Sequence, residues 1–231
     1  IMKKLFTILF VGLFVNISLS QTSVFTVQYF DFKAGTQSDV AALYDSFFEG
    51  VEFKSGGLFL ERMDRGDVLG THRIVYFGEL GNMGMVDGSK TREEWQKFWE
   101  ERRELIEKRG PSYTGRIAYS NGVDPFSKGY FQLYEGEISD PAKFTEAHIK
   151  AIENDWAFEG NAMLFGSYDV GNPGTATHWA AFGADNLGAL MKWKVYIEEN
   201  PDAMAEYFNT RGEVKELGNF SLQILKQYGG F

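Results

Sequence analysis

The chain of 231 residues has no cysteine, which excludes a disulfide framework, a thiolate metal site, an iron–sulfur cluster and a cysteine nucleophile. Its three histidines are too few for a histidine-rich metal centre, and neither a metal nor a cofactor is expected. Five prolines in the whole chain argue against linker-rich or low-complexity architecture. Positive charge is also scarce: 23 Lys and Arg stand against 32 Asp and Glu, a net charge of −9. The basic residues that cluster, Arg102, Arg103, Lys108 and Arg109, are interleaved with Glu100, Glu101, Glu104 and Glu107. Such mixed spacing reads as a solvated helix face, and a polyanion would be repelled, so nucleic acid is excluded as a partner. What the chain does have is apolar and aromatic: 44% hydrophobic residues and 16% aromatics, with 21 Phe, 11 Tyr and 5 Trp. That is the composition of a globular protein with a sizeable core.

The first twenty residues read as a leader. Lys3 and Lys4 precede the apolar stretch Leu5 to Ile17, and Ser18-Leu19-Ser20 places small residues where a signal peptidase cuts. The pattern predicts a signal peptide over 1–20 with cleavage before Gln21, hence export by a bacterium to the periplasm or the exterior. The 13 apolar residues are too few to cross a hydrocarbon layer of ~30 Å as a helix. No later segment is long and apolar enough either, so no membrane span is expected in the mature chain. Without the leader, 21 basic residues remain against 32 acidic ones, a net charge of −11.

Past the leader, hydrophobic periodicity alternates between the period of a strand and that of a helix. Ser23 to Lys33 predicts a strand through Phe25, Val27 and Tyr29, and a helix follows from Thr36 or Ser38 to about Phe53, with Val40, Leu43, Phe47 and Val51 in step. Leu58–Met63 and Thr71–Leu80 predict a strand pair. A helix over Thr91–Arg109 starts on the capping-box spacing of Thr91 and Glu94, stops at Gly110-Pro111, and precedes a strand over Tyr113–Ser120. The order then recurs. Gly129–Ile138 is a strand, and Asp140-Pro141 opens a helix to about Glu159. Ala162–Val170 and Thr177–Gly183 are strands, Asn186–Asn200 and Pro201–Asn209 are helical, and Asn219–Tyr228 is the last strand. An offset of 104 lays Val40, Leu43 and Phe47 on Phe144, Ala147 and Ala151. An offset of 106 lays Thr71-His72 on Thr177-His178 and Tyr76 on Phe182. The chain thus divides into a first unit over 21–122 and a second over 123–231.

Each unit has the strand-helix-strand-strand-helix-strand order of the ferredoxin-like motif, whose antiparallel sheet carries helices on one face and needs a partner on the other. Two such units in tandem resemble the dimeric α+β barrel superfamily in a fused form, which includes antibiotic-biosynthesis-monooxygenase-like, stress-responsive and haem-binding chlorite-dismutase-like proteins. The resemblance covers residues 23 to 228 and is one of topology. It implies an α+β fold of two units forming a pseudo-dimeric barrel around an aromatic-rich interior. It also implies a small apolar or aromatic ligand, cofactor-independent oxygenase or isomerase-like activity, and a capacity to oligomerise. The contrasting reading is a non-catalytic envelope or assembly protein with a filled core.

His72 and His178, at equivalent places in the two units, are the candidate catalytic pair, each on a face shared with Ile74 and Tyr76 or with Ala180 and Phe182. The functional reading has them handling protons in the space between sheet and partner, with Tyr76 as a hydrogen-bonding neighbour. The structural reading has each satisfying a strand-end hydrogen bond. In the haem-binding relatives a histidine on a helix of the second unit ligates iron, so the resemblance implies His148 as the candidate cofactor-binding residue. This half departs from those proteins in having no arginine before Arg211. Gly84 to Thr91 approaches a phosphate-loop pattern but carries Ser89 before Lys90 where glycine is required. The capping of the following helix accounts for the segment, and its glycines allow a lid. Phe25, Tyr29, Tyr113, Tyr119, Tyr130, Tyr134, Phe220 and Tyr228 alternate along the strands and suit either a ligand cavity or a core between two sheets.

Overall fold

The computed structural model describes residues 22–153 and 160–230; the leader and the expected end of the second-unit helix near Glu159 lie outside them. The first half runs β1 (Ser23–Phe32), α1 (Gln37–Phe48), β2 (Phe53–Ser55), β3 (Gly57–Gly66), β4 (His72–Glu79), β5 (Gly84–Met85), α2 (Arg92–Leu105) and β6 (Ile106–Ser120). After a 3-10 turn at Pro125–Ser127 come β7 (Tyr130–Ile138), α3 (Pro141–Glu153), β8 (Ala162–Val170), β9 (His178–Ala184), α4 (Leu187–Glu199), α5 (Pro201–Thr210) and β10 (Val214–Gly229).

Eight of these strands close into a barrel in the order β1-β4-β3-β10-β7-β9-β8-β6, antiparallel at every seam. Each half keeps the order fourth, first, third, second, and its last strand pairs with the second strand of the other half. This closure is how two open sheets cover each other and remove their edges. At the β6–β8 seam two glycines face carbonyls of the opposite strand. A Cβ on Gly115 would lie 1.9 Å from the Ser167 carbonyl oxygen, and one on Gly166 would lie 1.9 Å from that of Arg116. Only residues without a side chain allow this approach.

Strand alternation divides the apolar residues between two sides. Phe25, Val27, Tyr29, Phe59, Phe77, Tyr113, Phe131, Trp179 and Phe220 point into the barrel and form one cluster. Phe30, Phe32, Leu58, Leu60 and Ile74 point outward under α1 and α2. Of the aromatics singled out from sequence, Tyr119, Tyr130, Tyr134 and Tyr228 also lie on the helix side rather than inside, because both faces of each sheet are buried. The barrel interior is nearly filled. It leaves about 90 Å³ beside Glu61, Arg73 and Tyr168, the room of about three waters. Arg73 is buried, bonds Glu61 through Nε and reaches the Tyr29 hydroxyl at 3.4 Å, while Tyr168 donates to Glu135 Oε1 at 2.7 Å. Burial pushes both carboxyls up, opposed by Arg73 at Glu61 and by the Tyr168 bond at Glu135.

The structure corrects the ends of both helices of the first unit. The second helix stops at Leu105, because Ile106, Lys108 and Arg109 pair with Phe32, Asp31 and Phe30 of β1; the strand then passes through Pro111 at a register shift, where a missing N–H is tolerated. The first helix stops at Phe48, and Phe53–Ser55 instead pairs with Gly84–Met85. That pairing ties down the segment expected as a lid: Val86 N donates to the Glu52 carbonyl at 2.9 Å, and Lys54 meets Asp87 at 2.7 Å. Thr91 and Glu94 form the capping box at the start of α2.

Candidate functional site

The paired histidines sit in equivalent corners. Thr71 N donates to the Phe30 carbonyl at 3.0 Å and Thr177 N to that of Gly136 at 2.9 Å. The Thr71 hydroxyl accepts from Phe32 N at 3.2 Å, and the Thr177 hydroxyl from Ile138 N at 2.9 Å. Nδ1 of His72 and of His178 each lies 2.9 Å from the hydroxyl of the preceding threonine. The Thr-His match of the two halves is therefore repeated bond for bond. Neither histidine enters the barrel. Arg73 and Trp179, one residue on, point inward instead, so the expected face is the helix side.

The two sites then diverge. His72 is sealed, with a buried Nε2 lacking a partner, and burial pushes its titration down to about 4. Tyr76 is not its hydrogen-bonding neighbour: four residues of extended strand put ~13 Å between them, and Tyr76 packs instead against Phe48 and Phe53. His178 is half-buried and borders a cavity of about 260 Å³ between the outer face of the second sheet and α3, α4 and α5. Burial, with Arg116 adding and Asp169 opposing, lowers its titration, so it is neutral at pH 7.

The cavity exists because three large side chains of the first half have small counterparts in the second. The repeat lays Phe30 on Gly136, Phe47 on Ala151 and Ile74 on Ala180. The first three belong to one packed cluster under α1 and α2, whereas the second three line the cavity. Tyr44, buried in the first half, falls on His148. His148 lies on the inward face of α3, its ring 4.1 Å from that of Phe144, and Phe144 in turn lies 5.8 Å from His178. Opposite, Trp193 of α4 stacks on Phe182 at 3.9 Å and Lys194 bonds the Tyr134 hydroxyl.

Both ring nitrogens of His148 are engaged, Nδ1 with the Phe144 carbonyl at 3.0 Å and Nε2 with the Tyr207 hydroxyl at 3.1 Å. The carbonyl fixes the proton on Nδ1, so Nε2 is the acceptor of the Tyr207 hydroxyl. An iron ligated at Nε2 would have to displace Tyr207, and 260 Å³ is below the roughly 300–1,000 Å³ of pockets that hold drug-sized ligands, themselves no larger than a haem. The residues present do not fit a haem. Tyr207, Lys194 and Arg211 were missed in the sequence, whereas Tyr134 was among the aromatics read there as suiting a ligand cavity. The signal that could have found their neighbourhood is the run of large-to-small replacements in the repeat.

Burial pushes His148 down to about 4, with Arg211 adding to the shift and the Phe144 carbonyl opposing it. An unfolded histidine titrates near 6.5. Between these values the unfolded chain binds a proton that the folded one refuses. Stability present above pH 6.5 is therefore lost as pH falls towards 4, by at most about 1.4 kcal/mol per pH unit. His148→Asn is expected to flatten the dependence of urea midpoints on pH between 7 and 5 relative to the wild type. Parallel curves for the two proteins would contradict this assignment.

No family model matches the chain, and no curated protein matches it. Solved structures do. A candidate monooxygenase from Fusobacterium nucleatum is 16% identical, with 92% of this chain and 98% of that one covered at a TM-score of 0.60. A candidate monooxygenase from Lactobacillus acidophilus is 14% identical over 91% of this chain and 99% of that one, at 0.58. A haem-binding protein from Thermus thermophilus is 8% identical over 89% and 92%, at 0.50. At such identities the likeness speaks to architecture, and it agrees with the closed sheet built from two βαββαβ halves: the chain has the dimeric α+β barrel fold, with both halves of the barrel in one polypeptide.

Proposed function

We propose that the protein is an exported binder of a small apolar or aromatic molecule, held in the cavity of the second unit, with cofactor-independent oxygenase or isomerase-like turnover. The observation that carries this reading is the replacement of Phe47, Phe30 and Ile74 by Ala151, Gly136 and Ala180, which opens about 260 Å³ where the first half has a packed cluster. Cofactor-independent chemistry of this kind asks the protein for a base and for donors towards a developing oxyanion. His178, neutral and at the cavity edge, is the base of this reading, and Lys194 with Tyr134 supplies the donors. Likeness to candidate monooxygenases is consistent with the reading and adds only fold. Export rests on the leader pattern of residues 1–20.

Ala151→Phe restores the first-half residue and is expected to fill the cavity. Native mass spectrometry of protein from its source organism is expected to show a bound small molecule in the wild type and none in this variant, with His178→Ala keeping the molecule but losing turnover. A wild type without any adduct, or an adduct retained by Ala151→Phe, would sink the reading. It would favour the non-catalytic envelope protein, for which the nearly filled barrel interior speaks.

A further inference from the structure

The cavity is walled mainly by aromatic and aliphatic side chains, yet two cations, Lys194 and Arg211, face it, and Arg211 is paired with Glu216 of the same lining. Lys194 bonds the Tyr134 hydroxyl, and its Nζ stands 4.7 Å from the Tyr134 ring centre and 4.8 Å from that of Trp193. Among the described residues no carboxylate lies within 4.0 Å of it. Arg211 lies over the rings of Tyr207 and Phe208 at 5.3 and 4.7 Å, and its nearest carboxylate partner, Glu216, is 3.9 Å away and two-thirds exposed. In a chain of 32 acidic residues a carboxylate beside Lys194 would be easy to supply. Ring faces compensate a desolvated ammonium only in part. Burial accordingly lowers the titration of Lys194, with Glu216 and Glu198 opposing from a distance.

We propose that the ligand is an apolar ring carrying one carboxylate, the acid group seated on Lys194 and the ring lying between Phe144, Ala151 and Ile197. This rests on the cavity reading above and goes further in naming the charge of the ligand. An ammonium with no carboxylate within 4.0 Å among the described residues, in a mostly apolar chamber, selects an anion over a neutral molecule of the same shape, because the neutral one leaves the cation unpaired.

The probes are 2-naphthoate and its uncharged isostere 2-naphthamide, titrated calorimetrically into the full chain. The acid is expected to bind at least tenfold tighter than the amide. Lys194→Met is expected to weaken the acid tenfold or more while changing the amide less than threefold, and Lys194→Arg to recover most of the loss. If the methionine variant does not fold, Lys194→Gln replaces it, and the acid-to-amide ratio on the wild type needs no variant. Equal affinities for the two probes, both abolished by Ala151→Phe, would overturn the anion inference and leave the cavity reading standing. Failure of both probes to bind would overturn the inference too, and the native mass measurement would then decide the cavity reading on its own.

Discussion

Arg73→Met is expected to cost about 3–5 kcal/mol at pH 7, the usual loss when one partner of a buried ion pair is removed. Arg73 and Glu61 are both almost fully buried inside the barrel, and the barrel also holds Glu135. Without the guanidinium, two carboxyls remain in an apolar chamber and each must take up a proton or stay charged there. Both titrate above the ordinary carboxylate range in the native protein, and loss of Arg73 moves Glu61 further up. A group with a raised folded pKa contributes stability below its unfolded value, near 4.5, and loses it as pH rises through the folded value. The deficit of the variant should therefore shrink as pH falls from 7 towards 5. Thermal melts at several pH values would show it, as a drop of roughly 6–20 °C at neutral pH for a domain of this size. Glu61→Leu with Arg73→Met should cost less than Arg73→Met alone, since the stranded charge is removed. A single variant within 1 kcal/mol of the wild type, on the order of a surface substitution, would refute the assignment.

The second large effect is at the seam between the halves. Gly166→Ala places a methyl group 1.9 Å from the Arg116 carbonyl oxygen and 2.9 Å from the Trp179 ring. A flexible side chain could swing away, but here a backbone must move, and with it the β6–β8 hydrogen bonds. The expected cost is at least ~3 kcal/mol, the upper end for overpacking, and Gly115→Ala should behave alike. Gly218→Ala is the control, because the nearest atom to its Cβ is 3.9 Å away. It should shift the denaturation midpoint little. Equal midpoints for the Gly166 and Gly218 variants would show that the seam is not tight.

The order of elements was legible because each half announces itself through periodicity and caps, from the capping box of Thr91 and Glu94 to the proline after Asp140. The residues Ile106 to Arg109 were not, since their mixed charges suit a helix and only pairing with β1 decides otherwise. Alternation told that His72, Ile74 and Tyr76 share a face. It could not tell which face, because the barrel side and the helix side are equally apolar here. The candidate site was half legible. His148 and His178 do line one cavity, whereas His72 and Tyr76 lie in the other half and line neither it nor the barrel cavity. Lys194, Tyr207 and Arg211 join them only through the packing of α4 and α5, which no local pattern encodes.

Fusion of the two halves changes what each position is free to be. In a barrel assembled from two identical chains, a residue that makes room in one half must make room in both, and the loss of packing is incurred twice. Here position 47 keeps phenylalanine while its counterpart at 151 is alanine, so one half remains a solid anchor as the other is hollowed. The chain can specialise by dividing labour. The small residues that shape the chamber lie in the second unit, while their large counterparts in the first stay packed under α1 and α2.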